Sequence, residues 1–252
     1  EELLPLDRWA LVRLNELVRK CWDANEAYDF WLTTNAVHMF CVVDMSNFYL
    51  DIIKDRLYCD GADSLSRRSA QTAIYEILSA ITRLLAPVLA YTTYEIWDAM
   101  PHSSKENAEH VMLNDWPAYD PARTFTEDEA AYWDSIIKLR VDVNKALELA
   151  RADKKVGKPL DAKLTFFLDE SAKDAFARIK GANFEQICIV SEATIDEGEC
   201  EGYRGEQFPG LTVKVEPSDA PKCPRCWMHS NTVGTDPKEP ELCARCAAVL
   251  AE

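Results

Sequence analysis

Two pairs of cysteines near the carboxyl end carry the strongest chemical signal in this sequence. "KCPRCW" holds Cys223 and Cys226, "CARC" holds Cys243 and Cys246, and 16 residues separate the two C-x2-C pairs. Thiolates at this spacing are typical of a structural zinc site, in which two tight turns aim four sulfurs at one tetrahedral ion. Because protein sulfur fills all four positions, no position remains for a catalytic water. The sequence therefore predicts one structural Zn²⁺ ion.

The tail that carries these cysteines has few residues that could form a core. Zinc binding contributes on the order of 10 kcal/mol in small zinc peptides, so the metal is expected to fold residues 218–252. Two alternatives exist for these cysteines. His229 could replace one cysteine in a site that is still closed, and the pairs could be disulfides or chance spacing, which a reducing compartment disfavours. The remaining cysteines are expected to be core or surface thiols: Cys21, Cys41, Cys59, Cys188 and Cys200.

A tryptophan and several cations surround the first cysteine pair. Trp227 follows Cys226 directly, and Lys222, Arg225 and Arg245 lie close to the cysteines in the sequence. Aromatic rings that stack on unpaired bases, beside cations that contact phosphates, are typical of RNA-binding modules. The ring could equally pack on the zinc-binding tail and stabilise it. The sequence alone leaves both interpretations open.

The charge of the chain is distributed unevenly. The formal net charge of -15 argues against nucleic-acid binding at face value, but the sign of the charge matters by region. Residues 138–163 hold eight bases and four acids, whereas residues 101–137 hold two bases and eight acids. The basic segment could contact RNA phosphates. The alternative is an ordinary solvated helix end, since cations are favoured at a helix C-terminus.

Apolar spacing predicts the elements that must position these side chains. Apolar residues recur at intervals of three and four, which indicates helices with one buried face and an antiparallel bundle. Ser46 is predicted to cap the third helix, and Pro87 to end or kink the fourth. The predicted helices cover residues 6–22, 26–43, 46–58, 66–85 and 88–100.

The second half of the chain changes character after a proline-rich stretch, residues 101–125, which is predicted to be a linker. A long helix should begin at Thr126, with Glu129 completing a capping box, and end near Lys155 with Gly157 as its stop. The period then changes to two, which predicts strands. They cover residues 162–169, 185–195 and 210–217, with a short helix at 171–182 and a turn at 202–210.

These elements predict a mainly α chain of three domains. Residues 1–120 form an antiparallel helical bundle, 121–217 a junction helix with a small α/β domain, and 218–252 a zinc-binding ribbon with four cysteine ligands. Hydrophobic residues make up 48% and charged residues 28%, which fits a globular protein. No run of 18 apolar residues and no signal peptide is found, so a cytoplasmic protein without membrane attachment is expected. The sequence shows no catalytic group of residues.

Several stretches resemble one family of enzymes. "SNFYLDIIKDRLY" at 46–58 and "LLAPVLAYTTYEIW" at 84–97 look like the anticodon-binding bundle of class I aminoacyl-tRNA synthetases for large aliphatic amino acids. "CPRCW" with "CARC" is similar to the C-terminal zinc peptide of bacterial isoleucyl-tRNA synthetases. "ARADKKVGKPLDAKL" at 150–164 resembles the segment that joins the two. The resemblance covers nearly the whole chain, in order.

The resemblance implies a C-terminal fragment that binds tRNA(Ile) and contributes to its ATP-dependent charging by the full-length enzyme, an isoleucine–tRNA ligase. The catalytic and editing domains lie upstream in that family and would be partners in the same polypeptide, and a monomer is expected. Lys54 and Arg56 could reach phosphates or unstacked bases, although a helical ion pair with Asp51 is the alternative. The residues predicted to contact tRNA are Lys54, Arg56, Arg151, Lys154, Lys155, Lys158, Lys222, Arg225 and Trp227.

Three other functions remain as alternatives at this point. A helical scaffold with a zinc ribbon could be a protein-interaction module, and the bundle alone would also fit a valyl- or leucyl-tRNA synthetase. Similar zinc ribbons occur in formamidopyrimidine-DNA glycosylases. Those enzymes use a catalytic N-terminal proline, whereas Pro5 is internal here, which disfavours a DNA-repair enzyme.

Overall fold

The computed structural model describes residues 3–196, 198 and 200–251. The chain divides into two compact units, Glu1–Thr124 and Phe125–Glu252. In its described residues, the first unit consists of helices and loops, and it is called the helical unit below. The second combines a long helix, a four-stranded sheet and the cysteine tail, and it is called the mixed unit. The mainly α fold class that the sequence predicts is confirmed.

The predicted helices of the helical unit are present. α1 begins at Pro5, where a fixed φ and a missing N–H cost nothing in the first turn, and α4 is capped by Ser64, whose Oγ accepts from the N–H of Arg67 at 3.2 Å. Pro87 follows the end of α4, as predicted. The helices are α1 (Pro5–Glu26), α2 (Phe30–Met39), α3 (Leu50–Cys59), α4 (Leu65–Leu85) and α5 (Ala90–Ala99).

The break predicted at Ser46 is wrong. A π-helical segment, Phe40–Tyr49, connects α2 to α3 without a turn, so that Ser46 lies inside a continuous helical run and caps nothing. The segment contains neither glycine nor proline to end a helix. Its wider turns keep Phe40, Met45 and Tyr49 buried at intervals of four and five residues, a spacing that an ordinary α-helix would rotate out of the core.

The helical run Phe30–Cys59 is long and apolar enough to cross a membrane by length and composition alone, with a mean hydropathy of 1.3. Within the most apolar part of this run, 44% of the residues are buried inside the structure. Tyr49, Ile52 and Ile53 are almost fully buried, and the run ends next to a buried ion pair. These features are typical of the core helix of a globular bundle, so the run is weak evidence for a membrane.

The segment predicted to be a linker is a packed loop. Asn15 Nδ2 donates to the carbonyl oxygens of Asp120 and Arg123, both at 2.8 Å, and Trp22 Nε1 donates to the carbonyl of Pro117 at 2.8 Å. These side chains of α1 therefore bind the loop backbone. The prediction failed because side chains distant in the sequence hold the loop, and such contacts leave no local period.

The long helix of the mixed unit is α6 (Glu127–Ala152), and its predicted capping box between Thr126 and Glu129 is confirmed. The helix ends earlier than predicted. Lys154 adopts a left-handed φ of 59°, and the N–H of Lys155 donates to the carbonyl of Ala150 at 2.9 Å. Lys154 rather than Gly157 therefore ends the helix, in the left-handed conformation that glycine usually adopts at this position.

The sheet of the mixed unit has the strand order β2-β1-β4-β3. β1 (Ala162–Leu168) pairs in parallel with β2 (Glu192–Asp196) and antiparallel with β4 (Leu211–Pro217), and β3 (Tyr203–Arg204) pairs antiparallel with β4. In the chain, the short helices α7 (Lys173–Ile179) and α8 (Phe184–Cys188) connect β1 to β2.

The strand predicted at 185–195 is half wrong, because its first part is α8. The side chain of Asn183 caps this helix by accepting from the N–H of Gln186 at 2.9 Å, and Ile189 ends it at a φ of 57°. The tail after β4 carries the cysteine cluster and one further helix, α9 (Ala244–Leu250).

Candidate metal centre and nucleic-acid interface

The four predicted ligands Cys223, Cys226, Cys243 and Cys246 form one buried cluster. Their sulfurs all lie within 4.8 Å of one another, and Cys226 Sγ lies 3.8 Å from Cys243 Sγ. A tetrahedral zinc ion with Zn–S bonds of about 2.3 Å requires sulfurs about 3.8 Å apart. The four thiols therefore fit a zinc ion, and their chemistry favours it over harder cations.

Tight turns in the tail produce this arrangement. In the first cysteine pair, the N–H of Trp227 donates to the carbonyl of Cys223, and the N–H of Cys223 donates to the carbonyl of Met228, both at 2.9 Å. Lys222 and His229 continue this pairing as an isolated bridge. We call residues 222–229 the first knuckle. The second pair lies at the start of α9, where the N–H of Cys243 points at Cys223 Sγ, 3.5 Å away.

The thiols of the cluster differ in how readily they ionise. Burial opposes ionisation of Cys223, but backbone N–H groups of Cys226, Cys243 and Arg225 outweigh it and lower the pKa of Cys223 to about 6. Burial raises the pKa of Cys226 well above its usual range, and the nearby sulfurs of Cys246 and Cys243 add to this effect. Four thiolates at this distance therefore need a bound dication to compensate their charge.

His229 lies outside the sulfur cluster. Its Nδ1 lies 2.7 Å from the carbonyl oxygen of Ala220, and its Nε2 lies 3.3 Å from Asp161 Oδ1. The alternative in which His229 replaces a cysteine is therefore not supported. Arg225 contacts the cluster instead, because its Nη1 donates to Cys246 Sγ at 3.4 Å. Its positive charge reduces the cost of holding anionic sulfur below the surface.

The structure brings part of the basic segment to the zinc-binding tail. Lys158 Nζ lies 5.9 Å from the centroid of the Trp227 ring, a cation–π distance, and the Trp227 side chain is 59% exposed. Trp227 does not fill a core, so the interpretation that it only stabilises the tail loses support. A left-handed φ of 65° at Trp227 turns the chain at this point of the first knuckle.

Three further cations of the basic segment line an open cavity of about 590 Å³ at the end of α6, together with Glu148, Val156 and Gly157. Lys155 makes an exposed ion pair with Asp153 at 3.5 Å, which is weak in water and open to exchange with a phosphate. The lining cations are Arg151, Lys154 and Lys155.

Lys222 is held by an acidic partner. Its Nζ lies 2.7 Å from Asp161 Oδ1, and this contact, the largest influence on Asp161, holds the pKa of that carboxyl below its usual value. Asp161 also accepts from the N–H of Lys158 at 3.0 Å. No local pattern in the sequence pointed to Asp161, because its partners Lys222 and His229 lie more than 60 residues away in the chain.

The expectation that Arg56 contacts RNA is contradicted by the structure. Arg56 is 4% exposed and forms an ion pair with Asp7, which is fully buried. The Asp7 carboxylate also accepts from the hydroxyls of Tyr49 and Ser69. A buried charge with this many partners is part of the core. The helical period of the sequence does not show that Arg56 lies on the buried side of α3.

Lys54 precedes Arg56 by two residues, which places it on the opposite, outer side of α3. Its side chain is 65% exposed, and its Nζ lies 2.9 Å from Asp51, which is the helical ion pair that the sequence offers as the alternative to RNA contact. An exposed pair at this spacing contributes little to stability and leaves the ammonium accessible.

Two family models match this chain. The model described as "Anticodon-binding domain of tRNA ligase" matches residues 7–166, which is more than half of the chain. The model described as "Zinc finger found in FPG and IleRS" matches residues 221–249, which contain all four cysteines of the cluster. The family likeness and the cysteine geometry agree that the chain binds one structural zinc ion.

Curated relatives match over the whole chain, and each carries the name isoleucine–tRNA ligase. The protein of Carboxydothermus hydrogenoformans is 45% identical over 253 residues, which cover 100% of this chain and 27% of the relative. The protein of Syntrophotalea carbinolica is 43% identical over 252 residues, with the same coverage of 100% and 27%. That of Bacillus mycoides is 40% identical over 255 residues, again 100% and 27%. This chain thus spans about a quarter of the length of these relatives.

Proposed function

We propose that this chain, which belongs to the family of anticodon-binding domains of tRNA ligases, is the tRNA-binding part of an isoleucine–tRNA ligase. The observation that carries the proposal is the order of features in one chain. A region that matches the anticodon-binding family is followed by a four-cysteine cluster with an exposed tryptophan beside it. Relatives with the name isoleucine–tRNA ligase match over the whole length of this chain. A protein-interaction module alone would not require the anticodon-binding match.

The proposed RNA contacts divide by chemistry. Trp227 offers a ring on which an unpaired base can stack, and Lys158 lies beside it. The cavity cations Arg151, Lys154 and Lys155 suit phosphates, since they are exposed and lack strong internal partners among the contacts described. Lys54 is a further phosphate contact, on the helical unit.

Lys222 and Arg225 take a supporting part in the proposal, because Asp161 and the sulfur of Cys246 already engage their cationic groups. Both remain near Trp227 in the first knuckle. Arg56 is excluded, because an arginine sealed in the core with Asp7 cannot reach a ligand.

The activity proposed for the full-length protein is the ATP-dependent charging of tRNA(Ile). This chain would supply RNA binding, and catalytic and editing domains elsewhere in the polypeptide would supply the chemistry. A cytoplasmic monomer is part of the same proposal, as is the division into residues 1–120, 121–217 and 218–252. The zinc ion has a structural part, because four protein sulfurs leave no coordination position for substrate.

A binding comparison tests the proposal. The 252-residue chain would be titrated with fluorescent anticodon stem-loops of tRNA(Ile) and tRNA(Val), each at two stated salt concentrations. We expect tighter binding to the isoleucine stem-loop at both salt concentrations, since base contacts are less sensitive to salt than phosphate contacts. Equal affinities for both RNAs would remove the claim of recognition and leave non-specific attraction.

A further inference from the structure

One carboxylate connects the zinc-binding tail to the basic segment. Asp161 ends the short turn Pro159–Asp161 just before β1. From the tail, Lys222 Nζ donates to Asp161 Oδ1 at 2.7 Å, and His229 Nε2 lies 3.3 Å from the same oxygen. Lys222 and His229 are the two ends of the first knuckle.

The other oxygen of the same carboxylate holds the basic segment. Asp161 Oδ2 accepts from the backbone N–H of Lys158 at 3.0 Å, and the N–H of Asp161 donates back to the carbonyl of Lys158 at 2.9 Å. The backbone of Lys158 and both ends of the first knuckle are therefore fixed to one side chain. Trp227 lies inside the knuckle, so the contacts of Asp161 help to hold its ring near Lys158.

A second connection joins the same two segments. The N–H of His229 donates to Ser191 Oγ at 2.7 Å, and Ser191 Oγ donates to the carbonyl of Leu160 at 2.5 Å. Leu160 belongs to the turn that carries Asp161. The carbonyl of Asp161 also accepts from the N–H of Ser218 at 2.8 Å, where the tail leaves β4. These contacts join residues 31 to 57 positions apart, so chain connectivity alone does not impose them.

We propose that Asp161 is a positioning residue for RNA recognition, which fixes the first knuckle against the basic segment so that Trp227 and Lys158 act as one surface. The ligand is a single-stranded RNA nucleotide, with its base on the ring and its phosphate near the ammonium of Lys158. This rests on the RNA-binding function proposed above. Asp161 itself contacts no RNA in this arrangement, since its oxygens are occupied by the two segments.

Because Asp161 is negatively charged, the direction in which its replacement changes RNA affinity tests the proposal. If only charge matters, removal of an acidic group from an RNA-binding surface strengthens binding, because the negative potential that repels the phosphates becomes weaker. A positioning role predicts the opposite. We expect Asp161→Ala in the 252-residue chain to bind the isoleucine anticodon stem-loop roughly tenfold more weakly at matched salt, within the range of one lost base stack.

Glu216→Gln is the matched control. Glu216 lies on β4 of the same unit, its exposed ion pair with Lys214 at 2.9 Å resembles that of Asp161 with Lys222, and its replacement changes the charge equally. It should bind RNA as the wild type does or slightly more tightly. If Asp161→Ala also binds as tightly as the control, the positioning role is refuted.

A double-mutant cycle separates positioning from general damage. With Trp227→Ala already present, Asp161→Ala should cause no further loss of RNA affinity, because the ring that it positions is absent. Additive losses would overturn the inference. Zinc content should remain one ion per chain in every variant. If Asp161→Ala lost zinc, Asp161→Asn, which keeps the size of the side chain and removes its charge, would replace it in the same cycle.

A spectroscopic measurement without RNA distinguishes failure of this inference from failure of the proposed function. The indole N–H signal of Trp227, assigned in a ¹⁵N spectrum by its loss in Trp227→Phe, should shift in Asp161→Ala and stay in place in Glu216→Gln. An unchanged signal would refute the positioning role even if RNA binds. A shifted signal in a chain whose wild type does not bind RNA would refute the proposed function and, with it, the recognition role of Asp161.

Discussion

Arg56 and Asp7 form an ion pair that is sealed inside the helical unit. Arg56 Nη2 lies 2.5 Å from Asp7 Oδ2 and Nη1 lies 3.1 Å from Oδ1, so that the guanidinium binds the carboxylate with two nitrogens. Arg56 also donates from Nε to Ser66 Oγ at 3.0 Å. The pair connects α1, α3 and the start of α4, and every oxygen and nitrogen involved has a partner, the condition under which a buried pair is tolerated.

We expect Arg56→Met to destabilise the helical unit by about 3 to 5 kcal/mol, because it leaves the Asp7 carboxylate buried without its cation. Urea unfolding followed by circular dichroism measures the change. Lys54→Met is the control on the same helix, and the loss of its exposed pair with Asp51 should cost less than about 0.5 kcal/mol. Equal, small effects of both variants would show that the Arg56 pair contributes little.

Glu106 should make the stability of the helical unit depend on pH. Burial opposes its ionised form, but the hydroxyls of Ser79 and Tyr75 and the N–H of Ser103 outweigh this and lower the pKa of Glu106 to about 2. The unfolded pKa is about 4.3. A carboxyl with a lowered folded pKa contributes stability above its unfolded pKa, and this contribution is lost as the pH falls towards the folded pKa.

Glu106→Gln should therefore destabilise the unit at pH 7 by about 1 kcal/mol, with allowance for solvent screening. The difference from the wild type should shrink between about pH 4 and pH 2, where the native carboxyl itself becomes protonated. Urea midpoints at pH 7, 4 and 3 provide the measurement. A difference that stays constant over this range would show that Glu106 acts through packing rather than charge.

Local signals in the sequence were sufficient for most of the fold and for the metal ligands. The capping box of Thr126 and Glu129 and the spacing of the cysteine pairs depend only on near neighbours, and both are present in the structure. A helix period also placed Lys54 and Arg56 on α3. It could not show that Arg56 faces inward, because a charged residue is assigned to the surface unless its buried partner is known.

Several of the errors share one physical cause, which is contact between residues distant in the chain. The loop at 101–124 is held by side chains of α1 such as Asn15, and Asp161 is held by Lys222 and His229. Neither contact produces a periodic pattern of residue types in the sequence. The predicted end of α6 is wrong for a local reason instead, because Lys154 adopts the left-handed conformation that glycine usually supplies.

Removal of the zinc ion should unfold the tail and leave the helices of the other unit intact. Cys223→Ser and Cys243→Ser each remove one of four sulfurs, and the tail has little apolar core to compensate for the lost metal. We expect metal analysis to show much less than one zinc ion per chain, with the thermal transition of the helical unit unchanged. Cys188→Ser, which removes a buried thiol outside the cluster, should retain zinc. One full zinc ion in Cys223→Ser would contradict the assignment.

The exposed ring and the cavity cations should affect RNA binding in different ways. Trp227→Ala should weaken binding of the isoleucine stem-loop by about 5- to 150-fold at every salt concentration, since base stacking contributes about 1 to 3 kcal/mol. Lys155→Ala should reduce the salt dependence instead, lowering the slope of log K against log salt by about 0.7 for one lost phosphate contact to a single strand.

Affinities measured by fluorescence anisotropy at four salt concentrations separate the two effects, because a lost stack shifts the line and a lost phosphate contact changes its slope. Lys180→Ala, at an exposed position after α7 in the same unit, is the control for charge alone. It should leave the slope unchanged, because a cation that is not in contact with the RNA releases no counterion. If Lys155→Ala and Lys180→Ala gave the same slope, the cavity at the end of α6 would have no specific part in binding the RNA backbone.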